Sequence, residues 1–591
     1  MTDGRRVPVR RQAVPRRDKR PTRAPEPWRP RISHFLVAVL FSLLLVGSIA
    51  FIVGAFNADP TIRPGATDPL TGVDRSPDPS LDLPSGPSSL PAAPDPGSPV
   101  PGESPAVGTA EPSATASPAG PTTSPTVEAA MPVVPVIGFW GSDESISRNE
   151  LEAALRGRSD RYESVIVPTG DGQAIADALG IELGGSVTEG DPDTIWQAVR
   201  EDGTLGLMRA SDIGPRVRAL GIGESELFGT DRVDDLADWP LTIPVLETPE
   251  RAWDHAATWT LAAGGDILLD RGVYVPTRIR GLGADFLFDG GTAEITGRRC
   301  CSPFFNDTYV LYRRTGDRGA MREFLEGADL TIANLENPTP PDAVFHKHGS
   351  VFTGHQWMLE GLKNAGIDYL SLANNHMKDA GDDGVVETRR ALERWGFAYS
   401  GAGRDIEEAR EIAVLEAGGQ RIAIVPCNEI YRPTWATATR PGVAPCKDSQ
   451  VEASIAEARQ LADVVIVFPH WGVEYTAQAS TGQREHARRW IEAGADLILG
   501  AHSHWAGAME EVDGRLVFYS LGNFVFDQWF TERTSEGMVV ELTYRGTTLV
   551  QARVHPTLII DQGQPNFMDP AGDGQFVFKQ VRRASRGLLP Y

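Results

Sequence analysis

Cysteine is scarce in this chain, four in 591 residues. None of Cys300, Cys301, Cys427 and Cys446 has the spacing of a thiolate zinc site. Cys427 and Cys446 can close a modest loop, whereas a bond between the neighbours Cys300 and Cys301 would be strained. Positive charge is also short: 56 Lys and Arg stand against 79 Asp and Glu, a formal net charge of −23. Such a body excludes non-specific attraction to nucleic acid phosphates. From Asn57 to Met131 there is no aromatic residue at all. That stretch of Pro, Ser, Gly, Thr and Ala cannot bury a core and reads as a disordered stalk. No repeat of 20–50 residues is visible, which excludes a solenoid.

The first 31 residues run the other way, with eleven Lys/Arg against three Asp/Glu. A charge-free apolar run from Phe35 to Phe56 follows. It is long enough to cross a bilayer as a helix, and the Arg-rich lead should stay in the cytoplasm. Its length favours an uncleaved anchor over a cleaved signal peptide. The expected order is a basic cytoplasmic tail over 1–34, a transmembrane anchor over 35–56 and a linker over 57–132. A small α/β unit of unassigned role follows over 133–246, then a large domain over 258–591. The large domain would lie outside the cell membrane, on a single-pass anchor.

In the small unit, Val133–Trp140 and Ser164–Val167 read as strands. Ser147–Leu155, Gln173–Leu179, Thr194–Arg200 and Ile213–Leu220 read as helices. From Trp259 onward strand and helix alternate. The chain end is richer in strands, with turns at Asp513-Gly514 and Arg545-Gly546. This order predicts an α/β fold, two packed sheets flanked by helices.

Polar clusters follow five of the predicted strands: Asp266; Glu336; Asn375 with His376 and Asp379; His470; and the pair His502 and His504 in a G-x-H-x-H. Side chains of an extended chain repeat every two residues, so the last two imidazoles are expected to point the same way. Sites of open α/β sheets lie outside the carboxyl ends of strands. Carboxylate, amide and imidazole donors suit Mn, Zn or Fe, whereas Mg or Ca prefers oxygen alone. Each residue also has an ordinary reading: a helix cap for Asp266, a surface carboxylate for Glu336, a turn for Asn375, a satisfied core histidine for His470. The joint recurrence favours a metal centre. His346, His348, His355 and His486 lack such a context and read as structural or surface residues.

In order, the chain carries Gly265-Asp266-Ile267-Leu268-Leu269-Asp270-Arg271, Asn334-Leu335-Glu336-Asn337-Pro338, and Ala373-Asn374-Asn375-His376-Met377-Lys378-Asp379-Ala380-Gly381. His470-Trp471-Gly472-Val473-Glu474-Tyr475, the G-x-H-x-H and Tyr519-Ser520-Leu521-Gly522-Asn523-Phe524-Val525-Phe526-Asp527 follow. This set resembles the motifs of the CapA family, linked to poly-γ-glutamate capsule synthesis and similar to calcineurin-like metallophosphatases. The resemblance spans Trp259 to the C-terminus. It implies a metallophosphatase-like domain with metal ligands Asp266, Glu336, Asn375, His470, His502 and His504. It also implies His376 as the neighbouring histidine that assists as acid or orients the substrate; as a general acid it would be steered by Asp379, with Arg271 available to hold an anionic group. The D-x-H of phosphatases is missing, since Ala263-Gly264-Gly265-Asp266 offers one carboxylate. The implied partners are the membrane, the capsule polymer and a membrane synthase, with no nucleic acid. Two rival readings are a non-catalytic polymer- or synthase-binding subunit and a general metal-dependent phosphoesterase.

Overall fold

The computed structural model describes residues 10–11, 126–248, 251–302 and 307–591. The anchor expected over Phe35–Phe56 lies outside these, as do most of the tail and linker. Among the described residues no helix is long and apolar enough to cross a membrane.

The large domain is built from two sheets laid face to face. Alternation along each strand shows how. Leu261 and Ala263 join one core while Ala262, between them, joins another. Ile422 and Ile424, Val464, Ile466 and Phe468, and Leu497 and Leu499 join the same first core as Leu261. Their neighbours Ala423, Val425, Val465, Val467 and Ile498 join a third. A strand buried on both faces has this pattern. The first core is therefore the inter-sheet layer. The outer face of one sheet is covered by Ala320–Gly327, Leu359–Asn364 and Gly381–Trp395. The outer face of the other is covered by Asp448–Leu461 and Thr481–Glu492. The expected helix-flanked pair of sheets is thus present.

The larger sheet places Glu536–Arg545, Thr258–Ile267, Leu330–Leu335, Tyr369–Ser371 and Ala398–Ser400 side by side. The last four run parallel. The other sheet places Gln420–Asn428, Val464–His470, Leu497–Leu499 and Arg515–Phe518 in parallel neighbourhood. Arg10–Arg11 lies beside Ala413–Val414 at its edge, a two-residue pairing too short to tie a tail down. Parallel strands gather their carboxyl ends on one side, and the clustered polar residues sit there.

The small unit begins earlier than expected. Its first strand runs Val127–Gly138, and residues 127–132 pair with Thr242–Glu247. The linker assigned to 57–132 therefore ends before Val127. Residues 127–130 are mostly exposed, so the pairing rests on backbone bonds that leave no mark in composition. Ile213–Leu220 is not a helix; Val217–Ala219 is a buried strand paired with Val136–Gly138. Gly214-Pro215 breaks helical geometry just where the apolar spacing suggested it.

This unit packs on the large domain. Val550 enters its core. Arg553 donates to Ala219 O at 3.0 Å and to Glu226 at 2.8 Å. Glu541 accepts from Thr230 N at 2.7 Å, and Trp140 Nε1 donates to Tyr591 O at 2.9 Å. Cys427 and Cys446 are bonded, as expected from their spacing. Cys300 and Cys301 are bonded to each other as well, against the expectation for neighbours.

Candidate metal centre

Asp266 sits one residue before the end of its strand and is fully buried. It lies in register with Asn334 on one side and Asn523 on the other. The register shifts between Ala263 and Asp266, a bulge made of two glycines. A Cβ on Gly265 would stand 1.8 Å from Gly522 O, so only glycine permits this close approach. Glu336 follows its strand directly, two residues past Asn334 and on the same face. Asn375 and His376 belong to the turn after Tyr369–Ser371. His470 is the last residue of its strand in the other sheet. The two sheets thus contribute opposite walls of one site.

The loop Gly500–Trp505 completes it, though not by the route expected. His502 has φ 96° and His504 has φ 59°. The backbone is left-handed at both, so extended-chain alternation does not aim them. The loop is instead pinned by contacts: His502 N donates to Asp266 Oδ2 at 3.2 Å, and His504 Nδ1 meets Asn523 Oδ1 at 2.8 Å. Non-glycine residues in this region carry strain of roughly 1–3 kcal/mol each and gather at functional sites.

Four donor atoms converge on one spot. His470 Nε2 stands 2.8 Å from Asn375 Oδ1, 3.1 Å from His502 Nδ1 and 3.5 Å from Glu336 Oε1. Beside it, His504 Nδ1 lies 3.5 Å from Asp266 Oδ2. Asn334 Nδ2 spans the carboxylates, 2.8 Å from Asp266 Oδ1 and 2.6 Å from Glu336 Oε2. Asn374 holds Asn334 in turn, Nδ2 to Oδ1 at 3.2 Å. Asn334, Asn374 and Asn523 were not singled out from sequence. The two-residue step from Asn334 to Glu336 was the available signal for the first.

Burial sets the protonation of the cluster. It pushes the Asp266 carboxyl up to about 6, against hydrogen bonds from Asn334 and His502 N. It pushes Glu336 well above the carboxylate range, and the neighbouring Asp266 charge adds to this. It drives His470 far down, and His502 and His504 to about 3, so the three imidazoles are neutral. Glu336 Oε1 is buried without a hydrogen-bond partner. An orphaned carboxylate oxygen among neutral imidazoles and an amide oxygen is a set of acceptors with too few donors. A divalent cation supplies the missing positive charge, so the residues fit one. Asp266, Glu336 and His470 offer ligand atoms all within 4.8 Å of one another.

His376 is half-buried beside Asn375. Its Nδ1 pairs with Asp379 Oδ2 at 2.8 Å. Arg271 does not present a free guanidinium. Nε donates to Asp527 at 3.0 Å, a second nitrogen pairs with the same carboxylate, and the third donates to Gly349 O. These contacts hold the Asp527 and Gly349 loops together through Arg271. His346 holds Asp270, and His486 holds Asp448 between helices, both structural as expected.

Residues 260–528 match the family described as bacterial capsule synthesis protein PGA_cap. The capsule biosynthesis protein CapA of Bacillus anthracis is 30% identical over 281 residues, 45% of this chain and 67% of that protein. The PGA biosynthesis protein CapA of Bacillus subtilis is 36% identical over 218 residues, covering 36% of this chain. The match spans only 57% of that second relative. A solved NAD nucleotidase from Haemophilus influenzae aligns at TM-score 0.29 and 10% identity, a likeness too slight to argue from. It covers 51% of this chain and 56% of that one.

Proposed function

The chain belongs to the bacterial capsule synthesis (PGA_cap) family, and from that premise we propose a metal-dependent enzyme acting on poly-γ-glutamate during its synthesis, export or attachment. The observation that carries the catalytic part is the convergence of Glu336 Oε1, Asn375 Oδ1, His470 Nε2 and His502 Nδ1, with Asp266 and His504 beside them. These six residues would hold the divalent cation, with Mn, Zn or Fe suited to the mixed donors. When bound, the metal supplies Lewis acidity toward the scissile group and activation of a water. The protein's own contribution is proton handling and orientation. Asp379 fixes the His376 ring through Nδ1, leaving Nε2 to carry the proton to a leaving group. Asn334 holds both carboxylates in place.

The apolar run Phe35–Phe56 and the Cys427–Cys446 bond support an extracytoplasmic domain on a membrane anchor, close to a membrane synthase. The phosphoesterase reading is weaker, because Arg271 is already engaged by Asp527 and is not free for a phosphoryl group. The test is an activity screen of the purified full chain on poly-γ-glutamate and on phosphoesters, with and without chelator. The expected result is chelator-sensitive shortening or transfer of the polymer. Turnover of phosphoesters alone would favour the phosphoesterase, and polymer binding without turnover would favour the non-catalytic subunit.

A further inference from the structure

A groove of about 660 Å³ adjoins the metal-centre loop. One wall is Trp505, the residue after His504, whose ring neighbours Tyr475. The opposite wall is the helix Gln575–Ala584. Val577, Phe578 and Val581 of that helix are buried. Phe576, Lys579 and Arg583, three and four residues apart, share another face and line the groove. Gln580 ties the helix to the loop, donating to Ala506 O at 2.8 Å. Arg533 completes the lining, with its guanidinium 4.6 Å over the Trp505 ring.

The charges here are unusual for a chain of net charge −23. Arg533, Lys579 and Arg583 are exposed and make no direct ion pair among the described residues, Arg533 acting on Glu536 only at longer range. Of the acids at the groove, Glu532 is paired with Arg298 at 2.7 Å. Glu536 is buried, its Oε1 lacks a partner, and burial and the neighbouring Glu532 push its carboxyl well above the usual range against Arg298 and Arg533. Asp307 is the remaining acid. An acidic body repels a polyanion, so a substrate of that kind needs a local surface of unpaired cations.

We infer that this groove seats a linear polycarboxylate chain, with Lys579, Arg583 and Arg533 meeting successive carboxylates and Trp505 guiding the chain toward the metal centre. The naming of that chain as poly-γ-glutamate rests on the function proposed above; the groove's preference for a polycarboxylate does not.

The test uses the metal-loaded full chain in detergent, with a synthetic γ-linked glutamate decamer and an α-linked decamer as probes. Binding is read by calorimetry at low and high salt. The triple variant R533Q/K579Q/R583Q changes exposed side chains only, and its metal content should equal that of the parent. The expected result is salt-sensitive binding of the γ-linked decamer, weakened roughly tenfold or more in the triple variant. Trp505→Ala should weaken it independently. Equal binding by parent and triple variant would overturn the groove while leaving the capsule reading in place. Groove-dependent binding of the α-linked decamer alone would uphold the groove and remove the capsule reading. Failure of the parent to bind either decamer would overturn the inference outright.

Discussion

Glu336 shows the cost of the site at the scale of one residue. Its carboxyl is fully buried, beside the Asp266 carboxyl, with one oxygen unpartnered. Burial pushes that carboxyl well above its ordinary range, so ionising it at neutral pH costs stability that a neutral amide of the same shape does not. Glu336→Gln should therefore melt at or above the parent temperature under chelator, yet lose the stabilisation that added metal gives the parent. Calorimetry with and without metal checks both halves. His376→Ala should differ: metal retained, with turnover down by about 10²–10⁴-fold, the range for losing a general acid. Asp379→Asn should act through the ring it orients, shifting the pH profile as well as the rate. The cluster was legible because Asp266, Glu336 and His470 are metal-binding residue types at strand ends. Asn334 and Asn523 were not, since an amide that braces a carboxylate or an imidazole looks in sequence like any turn asparagine. The Arg271–Asp527 pair was not legible either, because its partners lie 256 residues apart.

Among the elements, the two strands that meet at Asp266 depend on the absence of a side chain at Gly265. Gly265→Ala would drive a methyl into Gly522 O. Overpacking of this kind costs about 1–3 kcal/mol or more. The expected outcome is a lower melting temperature together with lost metal, because Asp266 is the next residue. The Cys427–Cys446 bond closes the loop leaving Gln420–Asn428. Replacing both cysteines with alanine should cost roughly 3 kcal/mol by loop entropy, read as a lower denaturant midpoint. Most strands of the large domain were legible because apolar runs bounded by turn residues have few other readings. Ile213–Leu220 was not. Its apolar spacing fits a helix, and only pairing with Val136–Gly138, distant in sequence, makes Val217–Ala219 a strand. The loop that aims His502 and His504 was illegible for a related reason: its left-handed turns are held by Asp266 and Asn523.

Across the whole molecule, the small unit and the large domain should unfold together. Their contact is buried and charged, and Glu541 is at its centre. Burial alone would raise the Glu541 carboxyl, but His555, Arg553 and the Thr230 N–H outweigh it and bring it down to about 2. A depressed folded pKa gives stability that is complete above the unfolded value of 4.5 and lost as pH falls toward 2. The contribution is on the order of 3 kcal/mol. Acid titration should show a single transition, and Glu541→Gln should flatten its dependence in that window; two separate transitions would contradict the shared interface. Nothing in the sequence announced this contact, because its residues are spread over both units. The proposed activity requires that the site between the two sheets hold metal. The direct measurement is metal content by mass spectrometry of the purified full chain, beside His502→Ala and, as control, His486→Ala. The expected result is tightly bound Mn, Zn or Fe in the parent, lost in His502→Ala and kept in His486→Ala, with the fold intact in all three. A parent that binds no divalent metal, or a His502→Ala protein that keeps its full complement, would contradict it.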